Sequence, residues 1–256
     1  MRLSEMSWTD VAEYLERSDA LIIPVGTCEQ HGPHLPLSTD TLIAEAFATR
    51  ISDATGVALA PTVNYGVNLP CDRFVPGTAG FSFDALRALV TDLLEDWERQ
   101  GFRRFFIVTA HGCASDGHSF AHHEALKQGA LPLLTTPACA GGVCEVSVLF
   151  PYWTEIGDIL TDQEGVEHAC EAETSLMLHL HPELVRMDLA PDTGPDGEGR
   201  FDAYPEGVGA GSPEPGWTGA EGRPSAATPE KGRLILERCL NPMVAHVSKK
   251  VSAGRS

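Results

Sequence analysis

Side chains that bind metals or move protons crowd one short stretch of this chain. The segment GTCEQHGPHLPLSTD, residues 26–40, carries Glu29, His31, His34 and Asp40 among glycines and prolines that favour a loop. A second segment, AHGCASDGH at 110–118, brings His111 at the end of another apolar run. Mixed carboxylate and imidazole donors suit Zn, Mn or Fe rather than Mg or Ca, and no cysteine quartet points to a closed structural zinc site. One carboxylate can bridge two ions roughly 3.5–4 Å apart, and such a pair polarises a carbonyl and generates hydroxide from bound water near neutral pH. Hydrolysis of an amide-like bond is the chemistry that would follow. On spacing alone a second reading stays open, in which each histidine is a polar side chain satisfied by its own loop.

The elements that must position these groups are legible as well. Apolar runs rich in β-branched residues at 20–25 (ALIIPV), 57–63, 103–109, 131–136 and 143–149 predict buried strands. Helical patterns fall at 8–17, 40–54, 83–100, 116–128, 171–182 and 229–249. The clearest repeats Leu86, Leu89, Val90, Leu93, Leu94 and Trp97 between Ser82 as N-cap and Gly101 as stop. Thr228 as N-cap and Pro229 at the first position open the last helix, with Leu234, Ile235, Leu240 and Val244 as its buried side. Strands alternating with such helices predict an α/β fold, a three-layer α/β/α sandwich with a mostly parallel sheet. Both metal-type segments follow strands, at the carboxyl ends where open α/β sheets place their sites. Residues 190–228, dense in Gly, Pro and acidic residues, predict a long loop, either a lid or an oligomer contact.

A chain of 256 residues fits one domain, 1–256. Its formal net charge of −18 leaves no basic stripe to neutralise phosphates, so neither nucleic acid nor an anionic membrane is an expected partner. The N-terminal stretch has no basic segment followed by an apolar run, as a secretory signal would. Seven cysteines, an odd count without a CxxC pair, fit reduced thiols and a cytoplasmic location. No GxGxxG or P-loop supports a nucleotide-binding module.

PVGTCEQHGPHLPLSTD, residues 24–40, closely resembles the signature of the creatininase family, PVGSxEQHGPHLPLxTD. The resemblance continues through Tyr65-Gly66, PGT at 76–78, the loop opening on AHG, EHACEAETSLML at 167–178 and ATPEKG before the last helix, so it covers nearly the whole chain. It implies a metal-dependent amidohydrolase with two divalent ions (Zn, Mn or Fe), acting through metal-bound hydroxide on a cyclic or linear amide of a small polar molecule. Glu29 and His111 would hold one ion, His31 the other, and Asp40 would bridge them. His168 aligns with the histidine used for proton transfer, and Glu167 precedes it as in creatininase itself. Relatives form hexamers, so the resemblance implies a homo-oligomer. The family also includes deformylases, a peptidase and a hydrolase of keto-inositols.

The chain departs from the pattern in informative places. Relatives follow the histidine of the second loop with GGN, and creatininase with Tyr, Glu and Asn, its Glu being a ligand; here Gly112, Cys113 and Ala114 stand instead. The fifth ligand must then come from elsewhere, and Glu171, in HACEAETS, is the candidate by resemblance, with Glu173 read as structural near the helix start. Cys113 as a thiolate ligand is the alternative to Cys113 as a small packing residue. The Trp and Asp that precede the Glu-His pair in creatininase are Glu164 and Gly165, and its substrate-contacting Tyr is Gly112, so creatinine itself is not the expected substrate. Asn68, Asp72 and Arg73 are candidate substrate contacts. His34 is expected to orient the loop by a hydrogen bond. His118, His122 and His123 are read as helix residues outside the ligand set, and His179, His181 and His246 as surface or packing residues. The altered HGCA loop leaves one competing function, a catalytically inactive metal-binding scaffold subunit.

Overall fold

Two runs of the chain are buried at every position, β1 (Ala20–Val25) and β3 (Arg104–Thr109), as parallel strands covered on both faces must be. They pair in parallel from Ala20↔Arg104 to Val25↔Thr109. The two-residue β2 (Ala58–Leu59) flanks β1 and β4 (Glu145–Leu149) flanks β3, giving the order β2-β1-β3-β4, all parallel. The computed structural model describes residues 1–68, 72–111, 120–135, 144–161, 163–191 and 218–253, without the side chains of Arg73, Phe120, Thr135 and Trp153.

Successive strand side chains point to opposite faces, and the two faces collect different helices. Ala20, Ile22, Phe106 and Val108 pack with α2 (Thr39–Thr55), α5 (Glu171–Leu180) and α6 (Pro229–Ala253). Leu21, Ile23, Val25, Phe105 and Ile107 pack with α1 (Trp8–Leu15), α3 (Phe83–Gln100) and α4 (Phe120–Thr135). The expected α/β architecture, a parallel sheet with helices on both faces, is therefore present. Its helix punctuation follows the sequence. Ser82 accepts from Ala85 N at 3.2 Å and Gly101 closes α3 at φ 116°; Thr228 accepts from Lys231 N at 3.2 Å at the start of α6.

Three expectations need correction. The strand predicted at 131–136 is instead the end of α4 over residues 131–135, residue 136 lying outside the described set. Leu131 and Leu134 are exposed while Ala125, Leu126 and Ala130 are buried and Leu133 packs against the core, so the LPLL run has the alternation of a helix end, with Pro132 in its last turn. The strand at 57–63 shrinks to Ala58–Leu59, beyond which only Val63 bridges Val25. Leu234 is exposed, and α6 buries Ile235, Leu236, Cys239, Met243, Val247 and Val251 instead. Most of the predicted 190–228 loop, and residues 112–119 with Cys113 and His118, lie outside the described residues.

The topology fixes where a site belongs. From β1 the chain crosses through α2 to β2 on one side, then returns through α3 to β3 on the other. Strand order thus reverses between β1 and β3, and the crevice beyond their carboxyl ends, after Val25 and Thr109, is the switch point. Among the described residues no helix is long and apolar enough to cross a membrane.

Candidate metal centre

The loop leaving β1 delivers Glu29 and His31, the second residue of α2 is Asp40, and β3 ends two residues before His111. All four are nearly or fully buried, at 1–6 % exposure. His111 Nδ1 stands 3.1 Å from Glu29 Oε2 and 3.1 Å from Asp40 Oδ2. His31 Nε2 lies 3.5 Å from Asp40 Oδ1 and 3.8 Å from Glu173 Oε2. Among the described residues three groups of candidate ligands therefore converge: Glu29, Asp40 and His111; His31, Asp40 and Glu173; and Glu29, His31 and His168. Asp40 belongs to two of them, one for each of its oxygens.

Hydrogen bonds prepare these atoms for a cation. His111 donates through Nε2 to Val67 O at 3.1 Å and His31 through Nδ1 to Glu29 O at 3.1 Å, so that once each ring gives up its second proton Nδ1 of the first and Nε2 of the second are the lone pairs facing carboxylates. Thr27 Oγ1 donates to Asp40 Oδ2 at 2.6 Å. His31 Nε2 is buried without a hydrogen-bond partner, a costly arrangement that an ion would satisfy. The residues present therefore fit a divalent metal.

Protons show the same excess of negative charge. Burial opposes a charge on His31, yet Asp40, Glu173 and Glu29 overcome it and push the imidazole up to about 10. His111 rises well above the ordinary imidazole range against the same burial, through Glu29 and Asp40. Glu173 is raised to about 8, first by burial and then by Asp40 and Glu29, against the pull of His31. Asp72, fully buried, is raised to about 8 by burial and by Glu29 beside it.

The structure places the other expected residues as follows. His168 stacks on His31 with ring centroids 4.5 Å apart, and its Nε2 donates to Gln30 O at 2.7 Å. Burial and the nearby His31 depress it to about 4, so it is neutral at pH 7. Glu167 turns its carboxylate to Gln163 Nε2 at 2.5 Å. Glu171 is not brought to the cluster. Its carboxylate accepts from Thr161 N at 2.9 Å and Thr161 Oγ1 at 3.0 Å and pairs with Lys231. Two residues on, Glu173 reaches His31 and also accepts from Ala169 N at 2.7 Å. Ala169, the residue after His168, has φ 51°, a left-handed conformation that the Glu173 hydrogen bond helps to hold. His34 Nε2 meets Thr174 Oγ1 at 2.9 Å, tying the loop to α5. Asn68 spends its Nδ2 on Cys28 O at 2.9 Å. Two groups that the sequence reading set aside, His122 and His123, are buried beside His111. Their imidazole character at the start of α4 was the available signal.

A parallel α/β sheet with a buried carboxylate and histidine cluster at its switch point defines an α/β protein with a candidate metal centre. The family model for creatininase, described as creatinine amidohydrolase, matches residues 4–247, and the chain belongs to the creatininase family as one of its hydrolases. It is similar to the creatinine amidohydrolase of Pseudomonas putida, 28% identical with 93% of this chain and 92% of that one covered. It is also similar to the mycofactocin precursor peptide peptidase of Mycobacterium ulcerans (strain Agy99), 30% identical with 96% of this chain and 92% of that one covered. A crystal structure of creatinine amidohydrolase superposes with TM-score 0.81 at 25% identity, covering 98% of this chain and 97% of that one. A zinc–zinc form of a mutant creatininase does so with TM-score 0.75 at 26% identity, covering 98% of each.

Proposed function

We propose that this protein is a two-metal amidohydrolase that cleaves a cyclic or linear amide bond of a small polar molecule. The observation that carries the reading is Asp40, buried and shared between two groups of candidate ligands beside His31 Nε2, which lacks a hydrogen-bond partner. Glu29, Asp40 and His111 would hold one ion, and His31, Asp40 and Glu173 the other, so Glu173 takes the ligand role expected of Glu171. When bound, the ions supply Lewis acidity toward the amide oxygen and lower the pKa of water. His168, neutral at pH 7, takes the proton from the attacking water as the new C–O bond forms and returns it to the nitrogen as the C–N bond breaks. Gln30 O fixes its ring by accepting from Nε2. Glu167 is a supporting residue near that turn.

A second reading, cleavage of a bond in a short peptide, is favoured by the similarity to the peptidase relative. One panel of cyclic amides, linear amides and short peptides, creatinine included, tests both. The chain is stripped of metal and reloaded with zinc or manganese, and the hydrolysed product, ring-opened or cleaved, is measured by chromatography. Turnover that requires the metal and falls by about 10²–10⁴-fold in His168→Ala is expected. Metal-independent turnover, or turnover unchanged in His168→Ala, would refute the mechanism. Metal uptake with no turnover on any member would instead favour an inactive scaffold. We also infer a homo-oligomer, for which a sedimentation measurement showing only monomer would be contrary evidence.

A further inference from the structure

His122 is fully buried in the first turn of α4, against His111 at 4.9 Å between ring centroids. Its Nδ1 accepts the backbone N–H of Val67 at 3.2 Å. A backbone N–H can only donate, so Nδ1 carries the lone pair, and the ring proton sits on Nε2, 3.1 Å from Thr109 Oγ1. The carbonyl of the same Val67 accepts from His111 Nε2 at 3.1 Å. In the neutral ring that bond places the lone pair of His111 on Nδ1, the atom facing Glu29 and Asp40. Val67 lies in neither helix nor strand, so no ladder of backbone bonds holds it in place. Gly66 lets the chain approach this closely. A Cβ there would stand 2.7 Å from His122 Nδ1 and 2.4 Å from Thr27 Cγ2. His123 adds a second tether from the same turn of α4, its Nε2 donating to His111 O at 3.0 Å.

We propose that His122 is a positioning residue for the metal ligand His111, acting through the backbone of Val67. The proposal rests on the metal-centre reading. His122 touches neither substrate nor ion; it fixes the acceptor that in turn fixes the tautomer and direction of the ligand ring. Burial holds its imidazole well below the ordinary range, in keeping with a neutral ring of one tautomer.

The test is zinc affinity of the full chain, measured by competition with a chelator, for wild type, His122→Asn, His122→Gln and His122→Leu. Asn places its amide oxygen near the position of Nδ1 and can still accept from Val67, whereas Gln reaches toward Thr109 and Leu does neither. Asn within about threefold of wild type, with Gln and Leu weaker by roughly 10–100-fold, is the expected result. If Leu fails to fold, the order of Asn above Gln decides alone. Equal affinity in all variants would make His122 a packing residue, and a loss in Asn as large as in Gln would refute the path through Val67. No zinc binding by wild type would strike down the metal-centre reading itself, before any variant is compared.

Discussion

Glu173 and His31 are the residues on which the metal account turns, and both are protonated at pH 7 without an ion. With Glu173 raised to about 8 and His31 to about 10, an arriving cation must displace protons. Metal binds the deprotonated forms, so affinity rises with pH through both values and falls as the solution is acidified. Zinc affinity measured between pH 6 and 8 should rise by about one to two log units per pH unit. A pH-independent affinity would show that these groups are not displaced. The segment from Glu29 to Asp40 was legible in the sequence because its ligand-type residues fall in one short stretch after a strand. The choice between Glu171 and Glu173 was not. They differ by two helical positions, about 200° around α5, and only tertiary packing decides which of them faces His31.

Glu171 shows what that packing does at the scale of elements. Its buried carboxylate, with Lys231 and Thr161, joins the start of α5 to the start of α6, while Lys231 Nζ also donates to Ala226 O at 2.9 Å. The two helices approach so closely that a Cβ on Gly232 would stand 1.9 Å from Ser175 O. Removing one partner of a buried pair leaves an uncompensated charge. Lys231 keeps some solvent access, so Lys231→Met should cost about 2–3 kcal/mol in urea unfolding. The double variant Lys231→Met/Glu171→Leu should cost less than the sum of the two singles, and strict additivity would argue against the pair as a unit. The same scale explains the misread end of α4. The run LPLL has the composition of a short strand, and Pro132 disfavours helix at the residue before it. Continuation from the buried Ala125, Leu126 and Ala130 decides for helix.

For the whole molecule, the parallel sheet and its helices were readable because β1 and the centre of β3 are apolar runs and α3 before β3 is capped at both ends. Strand order was not written locally. It follows from pairing between residues far apart, and it alone puts Asp40 on α2 beside His111 beyond β3. The fold thus converts two separated loops into one cluster at the switch point. Metal content per chain, on protein purified without chelator, tests this most directly for wild type, Asp40→Ala, Glu173→Gln and Glu171→Gln. About two ions in wild type and in Glu171→Gln, about one in Glu173→Gln and few in Asp40→Ala are predicted. Wild type free of metal that also takes up no added zinc or manganese would contradict the account, and loss of an ion in Glu171→Gln but not in Glu173→Gln would contradict the ligand assignment.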